Sequence, residues 1–121
     1  MQRKHTRLVT ALLLFALILA VPVAQAEASK VLKFVPTAVY FDDNQRLTLV
    51  GEFHNTGTEY VSGVQNFIPV VYLDDEMEAA DTFAFQLNVA PGYYREVVMK
   101  LNARYRSFSK WFVKWDSYTA Y

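Results

Sequence analysis

Catalysis and metal binding draw on a few side-chain types, and this chain is short of most of them. It has no cysteine, so a thiol nucleophile, a disulfide and a bacterial lipoprotein acylation site are all excluded. Two histidines are present, His5 within a basic N-terminal stretch and His54. A hydroxyl nucleophile would need His54 as base for Ser29, Ser62, Ser107, Ser109 or Ser117, and no G-x-S-x-G elbow surrounds any of these serines. Structural zinc wants four nitrogen or sulfur ligands, more than one histidine supplies. Oxygen donors are plentiful: Asp74, Asp75, Glu76, Glu78 and Asp81 lie close together, and Asp42-Asp43-Asn44 forms a second group. Neither group has the EF-hand spacing with its mid-loop glycine and final glutamate, and turns favour Asp and Asn for backbone reasons alone. Paired carboxylates for glycoside cleavage occur in almost any acidic chain, and a domain of this size leaves little room for a cleft of the usual ~300 Å³ or more. The expectation is a non-enzymatic protein with no catalytic residue, no metal and no cofactor.

Binding is the chemistry that the remaining residues suit. Beyond residue 26 the chain holds 8 Phe, 8 Tyr and 2 Trp, more aromatics than one small core needs. The C-terminal third combines them with Arg95, Lys100, Arg104, Arg106, Lys110 and Lys114. Tyr, Trp and Arg are enriched at binding hot spots, and exposed apolar patches mark contact sites. The candidate partner-binding residues are therefore Tyr93, Tyr94, Arg104, Tyr105, Arg106, Phe112 and Tyr118. Against this stands the plainer reading that Phe112 and Tyr118 pack beneath a loop. The acidic cluster around Asp74 and the basic C-terminal third read either as solvated turns and strand faces or as two patches that steer partners.

The elements that position these residues begin after an export signal. Arg3, Lys4 and Arg7 open the chain, Leu8 to Val21 carries no charge, Pro22 ends the run, and Ala24-Gln25-Ala26 offers a peptidase site. A basic start, an apolar stretch and an A-x-A site are the secretory layout. The apolar run is shorter than the ~20 residues of a spanning helix, so residues 1–26 are read as a signal peptide removed after Ala26. The basic end stays cytoplasmic during insertion, and no membrane span is expected after cleavage. What remains carries nine bases and 12 acids, 9 − 12 = −3, a mild charge that argues against nucleic acid as partner.

Residues 27–121 read as one all-β domain, long enough to fold around a core without disulfides. Period-two alternation carries the assignment. Leu47, Leu49 and Phe53 share a face with Gly51, and Asn55-Thr56-Gly57-Thr58 makes the following turn. A long strand pattern runs from Tyr60 to Leu73, with Val64, Ile68, Val70 and Tyr72 in one register and Pro69 inside it. Proline cannot donate to a ladder, which puts that strand at an edge or gives it a bulge. After Asp74-Asp75-Glu76, strands follow with Phe83, Phe85, Leu87 and Val89 in phase, then Val97, Met99 and Leu101, then Trp111, Val113 and Trp115. Val31 to Phe41 holds one or two short strands broken at Pro36. No helical period is visible beyond residue 27. Six or seven such strands indicate a two-layer antiparallel sandwich, since one sheet alone leaves its apolar face wet.

Val50-Gly51-Glu52-Phe53-His54-Asn55, the strand end Tyr72-Leu73-Asp74 and the Ala90-Pro91-Gly92 turn resemble the FxLYD group across about residues 46–101. These are small immunoglobulin-like modules of exported bacterial proteins. The order here is Tyr-Leu-Asp where the family's naming motif has Leu-Tyr-Asp. The N-terminal half of the pattern is also similar to repeats of bacterial surface-layer-associated proteins. The resemblance implies an immunoglobulin-like sandwich outside the cytoplasm, with motif residues that are architectural rather than catalytic.

Taken together, these readings lead to an interaction module that is secreted, periplasmic or held at the cell envelope and binds a protein or glycan partner. The alternatives are a surface component that self-associates through an open sheet edge, near Pro69 or at the C-terminal strand, and, behind it, a calcium-dependent protein or small enzyme.

Overall fold

The computed structural model describes residues 27–121; the expected signal peptide lies outside them. Residues 27–31 are helical, a short element that the alternation pattern did not suggest. Among the described residues no helix is long and apolar enough to cross a membrane.

The rest is antiparallel β-structure. The strands are β1 (Leu32–Phe41), β2 (Leu47–Asn55), β3 (Val61–Phe67), β4 (Val70–Leu73), β5 (Glu76–Ala80), β6 (Phe83–Val89), β7 (Tyr94–Leu101), β8 (Trp111–Lys114) and β9 (Thr119–Ala120). They form three small sheets, ordered β1-β2-β7, β6-β3-β9 and β5-β4-β8. The second and third share a plan: β3 and β4 are central, β6 and β5 lie on one side, and β9 and β8 lie on the other. Each of these three paths is interrupted once, at residues 68–69, 81–82 and 115–118.

Alternation holds where the strands are long. In β2, Leu47, Leu49, Gly51, Phe53 and Asn55 are buried, and in β7 Val97, Met99 and Leu101 are buried while Val98 is exposed. Gly51 pairs with Pro36 of β1 beside a bulge, and a Cβ placed on it would lie 2.3 Å from Cζ of Phe34. Only glycine leaves room for that ring. Asn55 is buried and ties one end of the fold together: its side-chain amide donates to Glu59 O at 2.8 Å and Val89 O at 3.0 Å, and its Oδ1 accepts the Gly57 N–H.

Three expectations are corrected. First, of the two readings of Pro69, an edge or a bulge, the edge fails: β3 and β4 are each central in their sheets, and Pro69 lies in the irregular stretch between them. Second, the register of that path inverts. Val71 and Leu73 are buried while Ile68 is exposed and Val70 and Tyr72 are only half-buried, because irregular pairing between Val64 and Phe67, with Asn66 at φ 59°, shifts the phase by one. Third, there are nine strands rather than six or seven. β5 was missed because Glu76-Met77-Glu78-Ala79-Ala80 lacks strand composition. It forms because Asp74 (φ 50°) and Asp75 (φ 70°) adopt the left-handed pair that a two-residue hairpin requires.

One hydrophobic cluster contains residues of β1, β2 and β7, such as Phe34, Phe53 and Met99, and residues of β3 and β4, such as Val64, Phe67 and Val71. The rings of Phe34, Phe53 and Phe67 meet at its centre, with centroids 4.7 to 5.1 Å apart.

Candidate functional site

The C-terminal path is where the fold leaves space. β8 pairs with β4 as far as Lys114 opposite Val70, and β9 resumes at Thr119 opposite Gln65 of β3. Residues 115–118 therefore run past residues 66–69 without a ladder. Two facts already noted explain the gap: Pro69 has no N–H to offer, and Asn66 is left-handed.

The side chains of the gap are placed by the core. Trp115 turns inward with its ring edge-on to Phe34, centroids 5.1 Å apart. Tyr118 also turns inward, 5.8 Å from Phe53 and 5.5 Å from Phe67. Its hydroxyl donates to the Leu32 carbonyl of β1. Burial pushes the Tyr118 hydroxyl above its ordinary pKa, an effect that the nearby Phe34 N–H only partly offsets, so it stays a donor. Two residues on, Ala120 N donates to Ser29 Oγ at 2.9 Å. The C-terminal path is thus tied to the start of β1 by side-chain bonds instead of a ladder.

Two clefts open beside the gap and share Trp115 and Ser117. The larger, about 400 Å³, lies between the start of β1 and residues 115–118. Phe34, Trp115 and Tyr118 give it aromatic walls, and Lys30, Lys33 and Ser117 reach its lining. Lys30 and Lys33 are exposed and make no ion pair among the described residues. The smaller, about 280 Å³, is lined by Ile68, Val70, Tyr72, Lys114 and Asp116 besides the shared pair. A domain of this size was expected to have little room for a cleft above ~300 Å³. The larger of the two clefts reaches that size.

The seven residues expected to form one binding patch do not come together. Tyr93 and Tyr94 are exposed at the start of β7, and Tyr94 stacks on His54, centroids 5.0 Å apart. Arg104, Tyr105 and Arg106 lie in the segment after β7, where Tyr105 packs edge-on against Phe41 at 5.2 Å. Phe112 of β8 stacks on its cross-strand partner Tyr72 at 4.5 Å and 7°, with Lys114 Nζ 5.3 Å from the Tyr72 ring and 5.5 Å from the Phe112 ring. Tyr118 belongs to the core. Of the seven, Tyr118 lines the larger cleft, and Phe112 lines neither, although its stacking partner Tyr72 lines the smaller.

Nor do acids and bases form two separate patches. The segment after β7 folds two of its bases back onto the β4–β5 hairpin, where Arg106 pairs with Asp74, Glu76 and Glu78, and Lys110 with Asp75 at 2.7 Å. Asp74 also accepts the backbone N–H groups of Ser109 and Lys110, which hold its carboxyl below the usual pKa. Asp42 is held low in the same way, by Lys100 first and then by the Arg46 N–H. These acids are engaged by protein donors, and among the described residues no group of three or more His, Cys, Asp or Glu is placed to hold a metal ion. His54 bonds Glu52 at 2.9 Å on the outer face of β2.

Comparison with known proteins finds no matching family model, no matching curated protein and no matching solved structure.

Sequence reasoning did not single out Lys30 or Lys33, read Tyr72 and Trp115 only as strand residues, and weighed Ser117 only as a nucleophile. One signal was available. Trp111, Val113 and Trp115 occupy odd positions, whereas Tyr118 and Ala120 occupy even ones. A single strand cannot bury both sets, so the chain has to break between them.

Proposed function

We propose that this chain is an exported, non-enzymatic interaction module of the bacterial envelope or secretome, and that it engages its partner at the gap in the C-terminal path. The observation that carries the reading is the convergence of two clefts on Trp115 and Ser117, with Phe34, Tyr72 and Tyr118 also in their linings. Aromatic walls with a few polar groups are the composition of binding sites. The basic-apolar-AxA layout of residues 1–26 supports export. The shared core of the β1-β2-β7 sheet with β3 and β4 supports an immunoglobulin-like sandwich of the FxLYD kind, since two apolar sheet faces are stable only when packed together.

Cell fractionation with amine-reactive cross-linking, read by mass spectrometry of the recovered chain, tests both parts. The expected result is a chain beginning at Glu27 in an envelope or medium fraction, with partner adducts at Lys30, Lys33 or Lys114. A chain that keeps residues 1–26 and stays in the cytoplasm overturns export. Adducts confined to Lys100 and Lys110, at the far end of the fold, overturn the site.

A further inference from the structure

We propose that the smaller cleft, about 280 Å³, binds a short zwitterion: an amino acid or a dipeptide with both termini free. The inference deepens the binding-module reading and rests on it.

This cleft lies on the outer face of the β4–β8 pair. Val70 is opposite Lys114 and Tyr72 opposite Phe112, and these side chains point away from the buried Val71 and Leu73. The same face continues past the end of the ladder. Ile68 is exposed while Pro69 is buried, and Asp116 is exposed while Trp115 turns inward. Ile68, Val70 and Tyr72 therefore form one wall, and Lys114 and Asp116 stand along the other.

Charge selects the ligand. Among the described residues, the charged groups lining the cleft are Lys114 and Asp116, and neither forms an ion pair, with the other or with any third group. Lys114 Nζ lies instead 5.3 Å from the Tyr72 ring and 5.5 Å from the Phe112 ring, so the ammonium is held at the Tyr72 end of the cleft. A ring face leaves its N–H groups free to donate. An anion placed here would meet Asp116, and a cation would meet Lys114. A molecule carrying both signs meets a complementary charge at each end.

Reach and backbone set its size. Asp116 follows Lys114 by two residues, so their Cα atoms are at most about 7 Å apart, the span of a two-residue chain. The volume is just under the ~300 Å³ at which drug-sized sites begin. Between the ladder pairs Val70–Lys114 and Gln65–Thr119, the backbone groups of Trp115, Asp116 and Ser117 make no hydrogen bond among the described residues. Each offers a donor and an acceptor, which an amide can pair, and the Ile68–Val70 wall can cover an apolar side chain.

The test uses the full-length chain produced with its leader and purified as the cell leaves it. Alanyl-leucine, its N-acetyl form and its C-terminal amide are titrated in turn, following the backbone N–H signals of Asp116 and Ser117 by NMR. Saturable movement with the free dipeptide is expected, and about fivefold weaker binding of each capped form, the upper end for an exposed ion pair. Two variants tie each terminus to its residue. Asp116→Asn should bind the free and acetylated forms equally, and Lys114→Gln the free and amidated forms equally. Both side chains are exposed, so both variants keep the fold, which unchanged signals elsewhere verify. Equal binding of all three dipeptides to the unaltered chain, or variants that discriminate as it does, overturns the proposal. Signals that stay still also overturn it. Still signals beside cellular cross-links from Lys114 to an envelope partner would remove only the zwitterion and leave the binding-module reading standing.

Discussion

Gly51 lies under the ring of Phe34, and the space that a Cβ would take there is already filled. Phe34 cannot withdraw cheaply, because its ring touches Phe53, Phe67 and Trp115. Gly51→Ala should therefore destabilise the protein by about 1–3 kcal/mol, the usual cost of overpacking a core, and a thermal melt would read it as a lowered midpoint. An unchanged midpoint would mean that the aromatic cluster is looser than its geometry. Asp74 supports a different prediction at the same scale. Its native pKa is depressed by the Ser109 and Lys110 N–H groups, so the unfolded chain binds this proton first as pH falls. The stability it contributes is complete above the ordinary Asp value of about 3.9 and is lost as pH drops through the lower native value. Asp74→Asn should flatten the fall in urea midpoint below about pH 4, leaving the part due to Asp42. An identical acid slope in the variant would sink this account.

At the scale of elements, the C-terminal path shows why a strand can be fixed in place without a continuous ladder. Tyr118 does through its hydroxyl what a backbone donor would do at the edge of β1. Tyr118→Phe keeps the ring among Phe53 and Phe67 and leaves the Leu32 carbonyl without its partner. A loss of about 1–3 kcal/mol is expected, the cost of an unsatisfied buried acceptor, measured by chemical denaturation; no loss would show that water replaces the hydroxyl. The same path marks how far sequence reasoning reaches. β2, β6, β7 and β8 were legible because each alternates over a half-buried surface. β5 was not, because its two acids and two alanines carry no strand signal and only the hairpin before it commits the chain. The register of β4 was misread because a left-handed Asn66 shifts phase without announcing it, and a proline read as marking an edge or a bulge lies between two central strands. The candidate site was half legible for a related reason. Aromatic content pointed to the C-terminal third, but which rings face a cleft depends on the break after Lys114. Lys30 and Lys33 reach the cleft from the other end of the chain, a proximity that local spacing does not encode.

For the whole molecule, the open sides between sheets decide whether it stays alone. Exposed strand edges invite pairing with another chain unless they are covered, shortened or charged. β7 is bridged to β6 by Arg95, whose guanidinium donates to the carbonyls of Leu87 and Asn88 at 3.0 and 3.1 Å. The start of β1 is bridged to the C-terminal path by Tyr118 and by Ser29. β8 is short, Trp111–Lys114, and has Lys110 just before it and Lys114 at its end. The β5–β6 side is interrupted at Asp81-Thr82. Each of these edges carries one of the recognised defences, and the residues providing them come from distant parts of the chain. The protein should therefore be a monomer at high concentration by size-exclusion chromatography with light scattering. Arg95→Ala, which uncovers β7 without touching the clefts, is the variant in which self-association should first appear. A native dimer would show that these bridges do not seal the edges, and would shift the weight from a binding module to a self-assembling surface component.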